Sequence, residues 1–289
     1  MQIKANGIML EVEEYGPQDG PPLILIRGLG SQLIHWPKAL VQGFAERGYR
    51  AIIFDNRDMG KSQKCPAPGV ASKAVDILAA LKRGETPKAA YSLNDMAEDV
   101  IGLMDALQID RAHIFGISMG GGITQILMTD HADRLLTATA VMTSSRLRSL
   151  ELLPMLLAHP CTRAEFQDNW VKGHAFWGTP GFPMTEAEMR AEAGLAHDRG
   201  WTDEGENRQV LAILAMTDRQ AALRKVNLPA FIIHGAVDAL VPPELGRELA
   251  DLVPGARLEV IDGMGHVITP LLSPKIVELV DGFITAAGK

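Results

Sequence analysis

The sequence predicts an α/β protein with a mostly parallel, doubly wound sheet and a helical insertion after the sixth strand. Short apolar runs recur along the chain and are typical of strands buried on both faces. Amphipathic helical patterns separate these runs, which implies right-handed crossovers between parallel strands. Buried strands are missing between residues 146 and 227, so we expect this segment to lie over the sheet as helices. The core would then comprise residues 1–145 and 228–289.

The first part of the core is predicted to contain three strands and two helices. Ile8–Glu14 alternates apolar and polar residues, as an edge strand does. Leu23–Ile26 and Ala51–Phe54 are uninterrupted apolar runs, and Pro37 opens a helix that continues to about Arg47. Ser92 to Asp95 indicates a capping box at the start of an amphipathic helix.

The α/β alternation continues to the insertion and resumes after it. A strand ends at Ile117, a helix follows Ser118, and an apolar strand covers Leu136–Thr143. In the insertion, capping boxes are predicted at Thr185 to Glu188 and at Thr217 to Gln220. The last predicted elements are, in order, a strand, a helix, a strand and a helix: Phe231–His234, Pro243–Leu252, Leu258–Ile261 and Pro274–Thr285.

Size and composition limit the possible functions. The chain has 289 residues, 47% of them hydrophobic, which suffices for a large core with a smaller subdomain. The net charge of −7 provides no basic stripe, so we expect no nucleic-acid partner. We find no signal peptide and no membrane-spanning run, and therefore expect no membrane partner. Cys65 and Cys161 form neither a disulfide framework nor a metal-binding cluster, which predicts free thiols in a reducing cytoplasm and no metal site.

The stretch Gly116-Ile117-Ser118-Met119-Gly120 lies where a buried strand turns sharply into a helix. A serine at the apex of such a turn holds its hydroxyl clear of the backbone, and glycines two positions away avoid collisions. The helix also directs its N-terminus at this point, which favours developing negative charge. Ser118 is therefore the candidate nucleophile, and the alternative is a glycine-rich turn with an incidental serine.

A serine nucleophile needs a base, and the best candidate is His266. It follows the last strand in Gly263–His266, where two glycines allow the loop to approach the serine. The alternative is a surface histidine. His113 and His234 belong to strands and fit the core better, and His131 is at a helix end, where a cation is common for structural reasons. The remaining histidines are possible pocket residues: His35, His159, His174 and His197.

The base needs an acid to orient it, and Asp238 is the candidate. It follows the strand Phe231–His234 at the carboxyl edge of the sheet, where open α/β folds build their sites. Asp262, directly after the last strand, and Asp251, in a predicted helix, are the weaker alternatives. The backbone N–H groups of Met119 and of Leu29, in the loop after the first buried strand, are the predicted oxyanion donors.

Together these residues resemble the α/β-hydrolase superfamily. The resemblance rests on Arg27–Gly30, Asp55–Ser62, Gly116–Gly120, Asp238 and Gly263–His266, which cover the whole core. Within it the chain is most similar to small carboxylesterases of the aclacinomycin methylesterase type. The Asp-x-Arg-Asp-x-Gly-x-Ser loop and the Ser-Met-Gly-Gly…Thr-Gln run favour that branch.

The resemblance implies a fold, a cap and a chemistry. The insertion would be the family's cap, and Asp55–Ser62 a structural turn with Asp58 in place of the family's first glycine. Ser118, His266 and Asp238 would hydrolyse a small-molecule ester through an acyl-serine, without metal or cofactor. Arg27 replaces the usual histidine; it either packs structurally or biases the pocket towards a carboxylate-bearing substrate. Six aromatic or Met residues of the cap are candidates for the substrate pocket, and ordinary packing within the cap is the alternative for each: Trp170, Phe176, Trp177, Phe182, Met184 and Trp201.

Two glycine-containing motifs do not indicate nucleotide binding, and several functions remain open. Gly60-Lys61-Ser62 lacks the earlier glycine of a phosphate-binding loop, and Gly28–Gly30 lacks the third glycine of a dinucleotide fingerprint. The same triad suits amide cleavage of the proline iminopeptidase type, carbon–carbon bond hydrolysis and perhydrolase activity. A ligand receptor on a hydrolase scaffold is the alternative from another class. The sequence leaves open a homo-oligomer.

Overall fold

A computed structural model describes residues 1–146 and 153–288. The strands in this part of the chain are β1 (Gln2–Ala5), β2 (Ile8–Tyr15), β3 (Pro22–Ile26), β4 (Arg50–Phe54), β5 (Ala112–Ile117), β6 (Leu135–Val141), β7 (Ala230–Gly235) and β8 (Arg257–Ile261). Its α-helices are α1 (Lys38–Glu46), α2 (Ala74–Lys82), α3 (Leu93–Ala106), α4 (Met119–Asp130), α5 (Leu153–Leu156), α6 (Arg163–Trp177), α7 (Glu186–Asp198), α8 (Asp203–Leu214), α9 (Gln220–Leu223), α10 (Pro243–Leu252) and α11 (Ser273–Ala286).

The described strands form one sheet in the order β1-β2-β4-β3-β5-β6-β7-β8. β1 and β2 pair antiparallel, as do β2 and β4, and every later pairing is parallel. The prediction of a mostly parallel sheet is therefore confirmed. Because β3 to β8 run in one direction, the loops that follow them gather at one edge, which is where such folds place their sites.

Helices cover both faces of the sheet, which explains its uninterrupted apolar runs. Along β3, Ile24 and Ile26 pack into an apolar cluster that includes residues of α3, α4 and α10. Leu23 and Leu25 point the other way, into a cluster with residues of α1 and α11. Alternate side chains of a strand face opposite sides, so both sets must be apolar when both faces are buried.

Most predicted elements are found within a residue or two of their expected bounds. The capping boxes at Ser92 and Thr185 form as predicted. The one predicted at Thr217 is wrong, because α9 begins after Arg219, whose guanidinium donates to the carbonyl of Gly122 at 2.8 Å. The sequence patterns missed β1, a four-residue edge strand, and α2, which lacks a side-chain cap at Lys73.

The helices α5 to α9 lie between β6 and β7 and are tied to the sheet by buried ion pairs. Arg208 on α8 pairs with Asp58 at 2.6 Å, and Tyr91 donates its hydroxyl to the same carboxylate. Arg199, after α7, pairs with Asp55 at 2.6 Å. We propose that this segment forms a cap, residues 146–227, on a core of residues 1–145 and 228–289. Residues 147–152 of that cap lie outside the described residues.

The described residues were expected to have neither a membrane-spanning helix nor a metal site. No helix of the described chain is both long and apolar enough to cross a bilayer. Within the same residues, the His, Cys, Asp and Glu side chains form no group of three or more that could hold a metal ion. Cys65 and Cys161 are both free thiols.

Candidate active site

Ser118 lies at the turn between β5 and α4 and has an unusual backbone conformation. Its φ of 53° is in the left-handed region, which costs a non-glycine residue about 1–3 kcal/mol. Two hydrogen bonds hold it there: its N–H donates to Val141 O at 2.9 Å, and its carbonyl accepts from Thr143 Oγ1 at 2.9 Å. The strained turn therefore belongs to the sheet and lifts the hydroxyl above the sheet edge.

The glycines around Ser118 are required by close approaches of the main chain. A Cβ on Gly116 would overlap the hydroxyl of Thr124, and one on Gly120 would overlap the carbonyl of Ile26. A Cβ on Gly28 would lie 3.1 Å from that of Ser118, so the loop after β3 passes directly beside the serine. The spacing seen in the sequence thus has a steric cause.

The structure brings Ser118, His266 and Asp238 into one hydrogen-bonded chain. His266 Nδ1 lies 2.7 Å from Asp238 Oδ2, and His266 Nε2 lies 2.9 Å from Ser118 Oγ. A carboxylate accepts hydrogen bonds, so Nδ1 carries the proton and Nε2 is free to accept the proton of the serine. This is the arrangement that activates a serine hydroxyl.

Asp238 is held in the loop between β7 and α10 by main-chain donors. It is 3% exposed, and its Oδ1 accepts from the N–H groups of Leu240 at 3.0 Å and Val241 at 2.8 Å. His234 donates to the carbonyl of Val241 at 2.7 Å and so supports the same turn from the core. The alternative acid Asp262 is exposed to solvent.

The two predicted oxyanion donors, the N–H groups of Leu29 and Met119, belong to residues that line the cavity of Ser118. Met119 is the first residue of α4, where helix N–H groups have no partner within the helix. Leu29 follows Gly28 in the loop beside Ser118. The hydrogen bonds of the described residues give neither N–H group an acceptor, and both residues line the cavity that contains Ser118. They are therefore available to a developing oxyanion.

Thr179, which the sequence analysis missed, ties the His266 loop to the cap. Its hydroxyl donates to Val267 O at 2.6 Å and accepts from Gly265 N–H at 3.1 Å. The N–H of His266 donates to Trp177 O at 2.7 Å. The imidazole is thus positioned from both the core and the cap, and no sequence signal marks the contact because 86 residues separate Thr179 from Gly265.

A cavity of about 940 Å³ opens above Ser118, between the sheet edge and the cap. The predicted pocket residues that line it are Arg27, Trp170, Trp177, Met184 and Trp201, together with His35, His159 and His174. Three predicted candidates are not in its wall. Phe176 is 49% exposed, Phe182 packs against the core cluster around α1 and α11, and His197 stacks on Trp201. Residue type alone did not separate the cap residues of the cavity wall from those outside it.

Several charged and polar side chains line this mostly apolar cavity, among them Arg27, Glu192, His35 and His174. Burial lowers the pKa of Arg27 to about 10, while the charge of Glu192 opposes the effect. Burial raises the pKa of Glu192, on α7, to about 7, although Arg27 lowers it. Burial also lowers the pKa of His174, and burial together with Arg27 lowers that of His35, so both imidazoles are neutral. Glu192 is a second pocket residue that the sequence did not indicate.

Comparisons with known proteins agree with the observed fold. A family described as "alpha/beta hydrolase fold" matches residues 21–269. The chain is 26% identical to rhodomycin D methylesterase DnrP of Streptomyces peucetius, over 92% of this chain and 91% of that protein. It is 24% identical to 3-oxoadipate enol-lactonase 2 of Acinetobacter baylyi, over 90% and 87%. The crystal structure of the enol-lactonase from Burkholderia xenovorans LB400 superposes with a TM-score of 0.72 at 26% identity, covering 99% of this chain and 100% of that one.

Proposed function

Because the chain belongs to the alpha/beta hydrolase fold family, we propose that it hydrolyses carboxylic esters of small molecules, with Ser118 as the nucleophile. The observation that supports this function best is the continuous hydrogen-bonded chain from Asp238 through His266 to Ser118. The relatives support the same chemistry. One is named a methylesterase and another an enol-lactonase, and both names describe hydrolysis of an ester bond.

The proposed reaction has two halves. Ser118 Oγ attacks the ester carbonyl while His266 Nε2 takes its proton, and the N–H groups of Leu29 and Met119 stabilise the oxyanion by about 3 kcal/mol each. The intermediate then expels the alcohol, which receives the proton from His266. Water attacks the acyl-serine with the same assistance, and the acid leaves. Asp238 holds the imidazole in the required tautomer throughout.

The cavity and the free thiols support the rest of the proposal. A volume of about 940 Å³ is at the upper end of typical small-molecule sites, so the substrate has room for more than a short acyl chain. Water is displaced when such a ligand fills the space between the core and the cap, which strengthens the oxyanion contacts.

We place the enzyme in the cytoplasm, because free thiols such as Cys65 and Cys161 suit a reducing compartment.

Hydrolysis of a short-chain 4-nitrophenyl ester tests the proposal. We expect Ser118→Ala to lower kcat by about a millionfold, because the remaining groups cannot supply a nucleophile. The control is Ser72→Ala, which removes a hydroxyl that donates to Glu204 at 3.0 Å, away from the cavity. A serine-directed phosphonate should label Ser118. Retained turnover in Ser118→Ala, or labelling of a different residue, would contradict the assignment.

A further inference from the structure

We propose that Arg27 and His35 form a carboxylate-binding subsite beside Ser118, so that the preferred ester carries a negative charge. The reaction at this subsite rests on the proposed function, but the binding of the anion does not. Both residues line the cavity that contains Ser118, and His35 stacks on Trp170 of α6.

Arg27 is a buried cation without a bound anion. It is 8% exposed, and its guanidinium lies 4.6 Å from the centre of the Trp36 ring. Its Nη2 donates to Ser31 Oγ at 3.3 Å, whereas its Nε is buried and has no acceptor among the described residues. No carboxylate in the described chain forms an ion pair with it. Burying a charge with an unpaired donor costs free energy, and an anionic ligand that pairs with the charge offsets this cost.

His35 also lines the cavity and has a donor without a partner among the described residues. Its Nδ1 accepts the N–H of Gln32 at 2.8 Å, so the proton of the neutral ring is on Nε2. That Nε2 is buried without a partner in the described chain, and the residue is 4% exposed. The ring is fixed by stacking on Trp170, with centroids 4.9 Å apart. Arg27 and His35 both line the cavity, and their contacts with the Trp36 and Trp170 rings orient the two side chains.

Glu192, on α7, lines the same cavity, and its charge acts on Arg27. Trp170 Nε1 donates to Glu192 Oε2 at 3.3 Å, which holds that carboxyl on the cap side. Its charge interacts with Arg27 without a direct ion pair, and burial disfavours its ionised form. A ligand carboxylate that pairs with Arg27 would favour protonated Glu192, which then donates a hydrogen bond rather than repelling the ligand.

The position of the subsite relative to the nucleophile defines the substrate class. Arg27 directly precedes Gly28, whose added Cβ would lie 3.1 Å from that of Ser118. The anion therefore binds in the cavity in which the ester is attacked, either as part of the acyl group or as part of the alcohol. Monoesters of dicarboxylic acids and esters of hydroxy acids are the two corresponding classes.

Matched charged and neutral esters test the subsite. The charged series are mono-4-nitrophenyl esters of linear dicarboxylic acids from succinate to suberate, and acetyl esters of hydroxybenzoates. The neutral series are 4-nitrophenyl alkanoates of equal length and phenyl acetates. We expect the wild type to prefer at least one charged series in kcat/KM, and Arg27→Gln to reduce that preference by about tenfold to a hundredfold. Arg190→Gln, which removes an arginine paired with Asp168 and Glu186 outside the cavity, should keep the preference.

A binding measurement separates this proposal from the proposed function. Titration of Ser118→Ala with the free dicarboxylates and with their neutral diamides reports the subsite without any turnover. Tighter binding of the dicarboxylates, lost on adding Arg27→Gln, supports the subsite even if no ester is hydrolysed. Equal binding of both ligand types, or esterase activity without a charge preference in the wild type, would overturn it.

Discussion

Ser118 and Asp58 are non-glycine residues with left-handed backbone conformations, with φ of 53° and 73°. Such conformations cost about 1–3 kcal/mol each and persist only where the surroundings enforce them. At Ser118 the neighbouring strand enforces the turn that presents the hydroxyl. At Asp58 the carboxylate is held by Arg208 and Tyr91, so the strain supports the attachment of the cap.

Asp238→Asn should lower kcat by about ten-thousandfold while the fold is retained. An amide NH₂ facing His266 Nδ1 would require that nitrogen to accept, which moves the ring proton to Nε2 and leaves no base for Ser118. Turnover of a 4-nitrophenyl ester and thermal unfolding measure the two effects. Asp262→Asn, at an exposed aspartate, is the control and should keep full activity. Full activity in Asp238→Asn would move the orienting role to another acid.

At the scale of single elements, the sequence predicts best where the signal is local. The capping boxes of α3 and α7 join residues three apart, and their side-chain bonds form as the pattern requires. α9 begins instead after Arg219, which donates to the carbonyl of Gly122 in α4, a tertiary contact that no local pattern contains. α2 was missed because it has neither a capping side chain nor the proline that marks the start of α1, α10 and α11.

The attachment of α8 to the core depends on the buried ion pair between Asp58 and Arg208. Asp58→Gly relieves the left-handed strain but leaves Arg208 buried without its carboxylate, so we expect a net loss of about 2–4 kcal/mol in the free energy of unfolding. Arg208→Leu should restore part of that loss when combined with Asp58→Gly. Denaturant unfolding of the two single variants and the double variant measures the coupling.

The outcome of this cycle is specific to a buried pair. Arg163 and Asp198 form an exposed pair in the cap, and Arg163→Leu should change the free energy of unfolding by less than about 1 kcal/mol. If the changes that Asp58→Gly and Arg208→Leu make in the free energy of unfolding simply add, the pair does not hold the cap to the core.

At the scale of the whole molecule, the sequence predicts the core half of the site and misses much of the cap half. Ser118, Asp238 and His266 each follow a strand, so strand order alone places them at one edge of the sheet. Thr179 and Glu192 reach the site only through the packing of cap helices on loops far away in the chain. Such contacts have no periodicity or motif, and amphipathic patterns alone cannot locate them.

Glu192 should make the stability of the whole molecule depend on pH. Its pKa is raised from 4.5 to about 7, so the unfolded chain loses this proton before the folded one does. Its contribution is therefore fully present below about pH 4.5 and is lost as the pH rises to about 7, by about 2–3 kcal/mol. Glu192→Gln, which cannot ionise, should gain stability over the wild type across this range. Thermal unfolding of both proteins between these limits measures the difference, with Glu186→Gln on the exposed first turn of α7 as the control. A difference between wild type and Glu192→Gln that stays constant with pH would show that Glu192 is ionised in the folded protein throughout.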